Sequence, residues 1–592
     1  MKFQLLKTYL LPHKWRLVQL SVLLFSGIGL QLFAPQLMRR FLDGAQTGAA
    51  MSVLLQTAVF FFIVTVIQKF VNIGTTYVSQ DLGWTATNQL RADLAQHVLR
   101  LDMGFHKMRT PGELIERIDG DVEKLAEYFS SLIIQLFGNA VLAVGILLLL
   151  WRENWQAGLV GLVYGICVIT FLRLIQNMVV GVWKSISKGF AEMFGFVEER
   201  IVGTEDIRAN GGELYVINRL LPILYNLRTL RVKAIMLGNT SFSIGYMLYV
   251  LSLVAILAIG ANLYLQGVLT IGAVYLLVYY VNLLENPLNA IRRNIGDLQQ
   301  AIANISRISE LLTVQPKVVE QAANSLPEKA PTVDFRNVSF GYRDGLRVNG
   351  NQPENDDLVL QDIDFSLPAG RILGVLGRTG SGKTTLTRLL FRLYDVDSGT
   401  ISLDETDVHD VRLSALRSHI GMVTQDVQLF AASVRDNLTL FRNYNPSAKQ
   451  VDDGEITAVL HNLGLGDWLA SLPDGLDTTL AAGGKGLSAG QAQLLAFARV
   501  FLHDPKLVIL DEASSRLDPA TEQLLERAID QLLENRTGII IAHRLKTVQR
   551  ADDILVLENG RIVEHGERIV LASDPTSRFY QLLQTGLEEV LA

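Results

Sequence analysis

Cysteine is nearly missing. Cys167 is the only one in 592 residues, so no disulfide forms within the chain. A thiol-rich metal site or a thiol redox centre has no residues to build it. Cys167 itself lies in an apolar run and reads as a small lipid- or helix-facing residue. An excess of positive charge is also absent. Lys and Arg number 53 against 59 Asp and Glu, a formal net charge of −6, and nothing in that balance points to nucleic acid. A cleavable leader is not expected either. Lys2, Lys7, Lys14 and Arg16 precede the first apolar run, but the run continues through Gln31, Pro35 and Arg39 without a small-residue cleavage site. It reads as a retained first membrane helix. Finally, charge is scarce in long stretches before about residue 300: Leu132 to Trp151 and Leu159 to Leu174 carry almost none. With their flanks, these runs are long enough to span a bilayer.

What is present divides the chain in two. Apolar residues make up 49% and the mean hydropathy is +0.27, with the excess before about residue 300. Six spans are predicted near 17–40, 52–76, 132–151, 156–176, 238–262 and 269–290. Their connections alternate short, very long, short, very long, short. The long ones hold charges at helical periodicity and read as membrane helices continuing into water. Arg39, Arg40 and Arg152 are the only cations in the short connections, whereas 80–128 alone holds Arg91, Arg100, Lys107, Arg109, Arg117 and Lys124. That bias places the long connections and both termini in the cytoplasm, with Arg39 and Arg40 as mild exceptions. Each long connection has a turn-like break, at 108–121 and 198–212. Leu114, Ile115, Ile118, Ile201, Val202 and Ile207 there need something to pack against. A short crosswise helix at each, lying on the soluble part of the chain, is the expectation, and two solvated helical hairpins with no partner are the alternative. From about residue 320 the text changes to short apolar strands, glycine turns and frequent charges, an α/β domain. The expected organisation is a membrane α-helical domain over 1–310, a linker over 311–330 and a P-loop α/β domain over 331–592.

The soluble part carries the chemistry. Gly377-Arg378-Thr379-Gly380-Ser381-Gly382-Lys383-Thr384 fits the phosphate-cradling pattern. Alone, such a match arises in about 2% of chains this long. Here it is followed in order by Gln425, Leu487-Ser-Ala-Gly-Gln491, Leu507-Val-Ile-Leu-Asp-Glu512 and His543. Ile372 to Leu376 reads as a buried strand feeding the loop and Thr385 to Tyr394 as the helix after it. That context lets glycine backbone N–H groups and the helix N-terminus face phosphates. Lys383 is expected on the β- and γ-phosphates of ATP and the Thr384 hydroxyl on Mg²⁺. Asp511-Glu512 ends a second apolar strand. The pair is either a structural charge pair or, beside a phosphate loop, a Mg²⁺ ligand (Asp511) and a water-polarising base (Glu512). The strand Gly538 to Ala542 ends in His543, incidental or placed to meet the γ-phosphate. Thr332 to Phe340 and Leu358 to Leu367 read as paired strands. Tyr342 follows the first, either an ordinary edge tyrosine or a platform for adenine.

These motifs resemble an ATP-binding-cassette transporter of the exporter type, a half-transporter with one membrane domain fused to one nucleotide-binding domain. Leu487-Ser-Ala-Gly-Gln491 is similar to the signature of that superfamily, with Ala489 where glycine is usual. The resemblance implies that Ser488, Gly490 and Gln491 meet ATP held by an opposite subunit. It also implies that Gln425 senses Mg²⁺ and the attacking water. Asp518 matches the loop linking the two sites, with Arg516 where alanine is common. Thr385 belongs to the nucleotide-binding set, and the 112–121 and 198–212 stretches fall where the family has coupling helices. Two departures stand out. Ala482 occupies a position where the family usually has a glutamate touching the coupling helices, and the polar insertion 343–357 is longer than usual.

The expected partners are therefore a second half-transporter chain, identical or different, the lipid bilayer and an unidentified substrate. The leading reading is ATP-driven export or flipping of an amphipathic small molecule, lipid or peptide from a bacterial cytoplasmic membrane. An exporter-fold importer and an ATP-gated channel are the alternatives, and six spans exclude a soluble ATPase. Gln31, Asn139, Asn239, Asn282 and Glu285 are the polar groups in or near spans. Glu285 is either a functional carboxylate or the partner of Arg292 or Arg293.

Overall fold

The computed structural model describes residues 7–318, 324–342, 358–424, 427–444, 450–511, 519–541 and 545–585. Two compact units form: residues 1–99 with 112–314, and residues 100–111 with 315–592.

The first unit is helical. In chain order its helices begin with α1 (Lys14–Gln46) and α2 (Met51–Leu99); the short α3 (Met103–Lys107) that comes next belongs to the second unit, and α4 (Asp121–Leu132) and α5 (Asn139–Glu153) follow. They continue with α6 (Trp155–Val202), the short α7 (Thr204–Ala209), α8 (Glu213–Leu265) and α9 (Ile271–Thr313). A π-helical turn at Ile133–Gly138 joins α4 to α5, so six long rods result among the described residues, as the six apolar runs predict. Among the described residues, Lys7–Gln46, Met51–Leu99, Leu136–Glu153 and Glu213–Leu265 are long and apolar enough to cross a membrane. Trp155–Phe171 is a shorter apolar stretch of α6, and Ile271 to Leu284 of α9 carries no charge.

The short turns between rods are capped where a tight reversal needs it. Asn154 accepts from the backbone N–H groups of Gln156 and Ala157 at the start of α6, and Thr270 from Ala273 at the start of α9. Arg39 no longer stands out as an exception to the charge rule. It pairs with Glu153 at 2.8 Å and Asp43 at 3.6 Å, so its charge is neutralised locally. On the extensions, buried Asp121 accepts a two-point contact from Arg307, with the Nε bond at 2.8 Å. That fork ties the start of α4 to α9, 186 residues apart. Of the apolar residues at the extension breaks, Leu114 is buried while Ile115, Ile201 and Val202 stay exposed. Asn289 Nδ2 lies 3.5 Å from Glu285, whereas the side chains of Arg292 and Arg293 lie outside the described residues.

The second unit holds two sheets. Strands β1 (Val333–Phe340), β2 (Leu360–Leu367), β4 (Ser398–Leu403) and β5 (Thr406–Asp407) form an antiparallel sheet in the order β2-β1-β4-β5. The other sheet has the order β10-β9-β3-β8-β7-β6, with β3 Ile372–Leu376, β6 Ile420–Val423 and β7 Leu507–Asp511. Its remaining strands are β8 Thr537–Ile541, β9 Asp553–Glu558 and β10 Arg561–Glu567. All pairings in it are parallel except β9 with β10. β3, β7 and β8 are almost wholly buried, which is why they read as unbroken apolar runs. Phe335 and Phe365 lie directly opposite across β1 and β2 and stack at 4.7 Å, anchoring the core between this sheet, β3 and α10 (Lys383–Leu390). A second core gathers under α11 (Ala489–His503) and α12 (Pro519–Leu533).

Candidate functional site

In an open parallel sheet, ligands bind beyond the carboxyl ends of the strands. Register fixes which residues meet there. Ile541 of β8 lies opposite Val375 of β3 on one side and Asp511 of β7 on the other. Leu510 of β7 in turn lies opposite Val423 of β6. The phosphate loop after Leu376, the carboxylate Asp511, and the chain leading to His543 and to Gln425 therefore leave the sheet at one edge. Gln425, Glu512, Asp518 and His543 themselves lie outside the described residues.

The phosphate loop runs from β3 into α10. Gly382, the N-cap of α10, has φ of 105°, and a Cβ there would come within 2.6 Å of Leu360 Cδ2. Only glycine fits both the left-handed backbone and that gap. Ser381 is buried, and its hydroxyl has no hydrogen-bond partner in the described structure. Such a buried hydroxyl is stabilised when an acceptor arrives, and a phosphate oxygen is one. Lys383 is buried and donates from Nζ to the carbonyls of Gly377 (2.6 Å) and Arg378 (3.0 Å), so its ammonium lies coiled inside the loop. Arg378, Thr379 and Gly380 are exposed at the loop crest, and Thr384 is half-buried on the first turn of α10. This donor-rich, cation-bearing concavity fits a triphosphate.

Tyr342 follows β1, where Asp397 accepts from the N–H of Gly341 at 2.8 Å and fixes the turn. Its hydroxyl is 3.1 Å from Thr385 Oγ1 and accepts from Arg388 Nη1 at 3.3 Å. The tyrosine and the phosphate-loop helix are thus joined, a pairing that sequence spacing does not reveal. Thr385 is buried and spends its hydroxyl on this bond.

Ser488 caps α11. Its hydroxyl accepts from the Gln491 N–H, while the Gln491 side chain accepts from the Ser488 N–H, a reciprocal capping box. Ser488 is exposed, and Gly490 is buried against α12, where a Cβ would come 2.2 Å from Thr521 Cγ2. Ala482 is exposed in the glycine-rich turn before Ser488. Two residues not anticipated from sequence hold the segment after Gln425. Buried Asn437 donates to the carbonyls of Phe430, Ala432 and Ser433 and accepts from the Phe430 N–H. Arg499 of α11 donates to the Asn437 and Gln428 carbonyls.

The segment that packs with the ATP-binding unit is Arg100–Pro111, carrying α3, just upstream of the 112–121 stretch expected to do so. Asp102 accepts from the N–H groups of Lys317 (2.7 Å) and Val318 (3.0 Å), and Phe105 is buried. Apolar periodicity marks 112–121 strongly, yet those residues pack with the helical unit.

Comparison with known proteins identifies the family. Residues 18–288 match the family described as ABC transporter transmembrane region, and residues 360–515 match the ABC transporter family. An ATP-dependent lipid A-core flippase of Idiomarina loihiensis is 30% identical over 582 residues, covering 98% of this chain and 97% of that protein. An uncharacterised ABC transporter ATP-binding protein of Bacillus subtilis is 30% identical, covering 94% of this chain and 90% of that protein. A solved bacterial Atm1-family ABC exporter with ATP bound superposes with a TM-score of 0.80 at 23% identity, covering 97% and 98% of the two chains. The chain is an integral inner-membrane protein with a cytoplasmic ATP-binding domain and an ATP-hydrolysing transporter. It belongs to the ATP-binding-cassette transporters, with membrane region and ATP-binding domain fused in one polypeptide.

Proposed function

We propose that this chain exports or flips an amphipathic compound as a dimer whose two ATP sites are each shared between chains. The observation carrying the reading is the split of the machinery within one unit. The phosphate loop is built on β3 and α10, whereas the exposed Ser488 and the start of α11 are built against α12. Each half ends in a helix start, and neither contains the other. Two chains facing head to tail would complete both.

In that arrangement Lys383, Ser381 and the loop N–H groups hold the phosphates, and Tyr342 receives the adenine. Thr384 and Asp511 hold Mg²⁺ with Gln425, Glu512 takes the proton of the attacking water, and His543 contacts the γ-phosphate. Ser488, Gly490 and Gln491 close on the other chain's nucleotide, with Asp518 beside them. When bound, MgATP supplies the phosphoryl group whose loss removes the contacts that hold the two chains together. A ligand drives closure only by binding the closed state better than the open one, and a site completed across two chains has that property. Relatives named as lipid A-core flippases favour a lipid-like cargo, without extending lipid A itself to this chain. Inside-out vesicles carrying the protein are expected to accumulate an amphipathic fluorescent probe on MgATP addition. ATP-driven loss of preloaded probe would indicate import, and ATP-dependent ion current a channel; either overturns the reading.

A further inference from the structure

The adenine platform is already occupied by a residue from the cytoplasmic extension. The Lys107 ammonium sits 4.1 Å from the centroid of the Tyr342 ring. Among the described residues Lys107 makes no ion pair, so the aromatic face is its resting place. The ring itself is held. Phe340 and Tyr394 stand nearly perpendicular to it at 5.1 and 5.2 Å, and the hydroxyl is bonded to Thr385 and Arg388. Turning over to offer a different face would break all four contacts. Lys107 closes α3, whose start is tied by Asp102 to the backbone of Lys317 and Val318 and whose Phe105 is buried. Its backbone is thus fixed, while the long side chain keeps the freedom to leave. A cavity of about 320 Å³, lined by Met103, His106, Lys107, Arg388, Leu393 and Tyr394, adjoins it.

We propose that Lys107 is a base-displaced gate: it competes with the adenine for the face of Tyr342, so that nucleotide binding frees it from the ring. The inference rests on the reading of Tyr342 as the adenine platform. A base and an ammonium cannot share one ring face at van der Waals distance. The entering base therefore evicts the ammonium, and occupancy of the nucleotide site is registered on α3, a segment of the connection between α2 and α4. Lys107 is a positioning residue here, since it acts through the platform and not on the reacting phosphate. An exposed cation–π contact corresponds to a two- to fivefold effect on binding, roughly.

The sign of the effect separates this role from simple electrostatics. Removing a positive charge beside a polyphosphate site weakens polyphosphate binding. Removing a competitor tightens nucleotide binding and leaves a ligand without a base unaffected. Dissociation constants for ATP and for inorganic tripolyphosphate are to be measured on the full-length protein in lipid nanodiscs. Lys107→Met, which keeps the stem and removes the charge, is expected to tighten ATP about two- to fivefold with tripolyphosphate unchanged. Lys107→Arg, which still covers the ring, stays near wild type. Unchanged or weakened ATP binding in K107M overturns the gate, as does an equal shift for both ligands. Tyr342→Ala tests the underlying reading separately: it should weaken ATP and spare tripolyphosphate. If it weakens neither, the platform falls and the gate with it. If it behaves as expected while K107M does not, the gate alone falls.

Discussion

Replacing Glu512 by glutamine is expected to leave ATP bound and to stop its hydrolysis. Glu512 directly follows Asp511, the last residue of β7, and Asp511 is level with Ile541 and, through it, with Val375 at the root of the phosphate loop. That register puts the carboxyl end of β7, Asp511, at the strand-end edge where the phosphates would lie. The glutamine keeps shape and hydrogen bonding but cannot accept the proton of the attacking water. A positioned general base contributes roughly 10²- to 10⁴-fold, so turnover should fall by that factor while the ATP dissociation constant stays within about twofold. Equilibrium binding and steady-state hydrolysis on the same preparation check both halves. Unchanged turnover would move the base elsewhere and leave the Asp511-Glu512 pair a structural one.

The second large effect is expected at Gly490. It is not a flexible position: it lies buried in the first turn of α11, and the close approach of Thr521 leaves no room for a Cβ. In Gly490→Ala the Thr521 side chain or the start of α11 must give way, and a shift of α11 takes with it the capping box that aims the Ser488 end of the helix. If that end stabilises charge on the opposite chain's nucleotide, losing its aim should cost about 10²-fold in turnover, the scale of one misplaced donor. Binding of ATP to the chain's own phosphate loop should hardly change, because α10 packs into a different core from α11. Adding Thr521→Ala in the same chain removes the colliding methyl and should restore part of the activity. No restoration would mean the loss has another cause.

How much of this was legible in the sequence depends on the range of the interaction. Local periodicity sufficed for β3, which falls on Ile372 to Leu376 as expected, and for the buried strands β7 and β8 within a residue or so. The six rods follow from apolar runs and charge breaks. β1 was harder. Its alternation is interrupted at Asn337, which has φ of 48° and marks a shift in register against β2. The phosphate loop was legible because every constraint on it is local: a strand, a tight glycine turn and a helix start.

Long-range pairs were not legible. Nothing near Lys107 announces Tyr342, and nothing near Asp121 announces Arg307, because each pairing exists only once distant segments are packed. The same holds for Arg39, which looks misplaced in sequence until Glu153 is seen beside it. The crosswise helix illustrates the opposite error. The strong apolar signal of 112–121 drew attention away from Met103–Lys107, a five-residue turn too short to carry periodicity. Its identity as a docking element comes from Asp102 capping the chain at Lys317 and Val318 and from buried Phe105.

The central claim is that each ATP site is assembled from two chains. It is tested most directly by pairing two inactive variants. Lys383→Ala disables the phosphate-loop half and Gly490→Ala the α11 half, and each alone should be nearly inactive as a self-paired dimer. When the two are coexpressed with different tags and the mixed dimer is isolated through both, one site receives both defects and the other receives none. The account predicts that ATP hydrolysis reappears in the mixed dimer, at up to the rate of a single intact site. A mixed dimer as silent as its parents would contradict a site shared between chains.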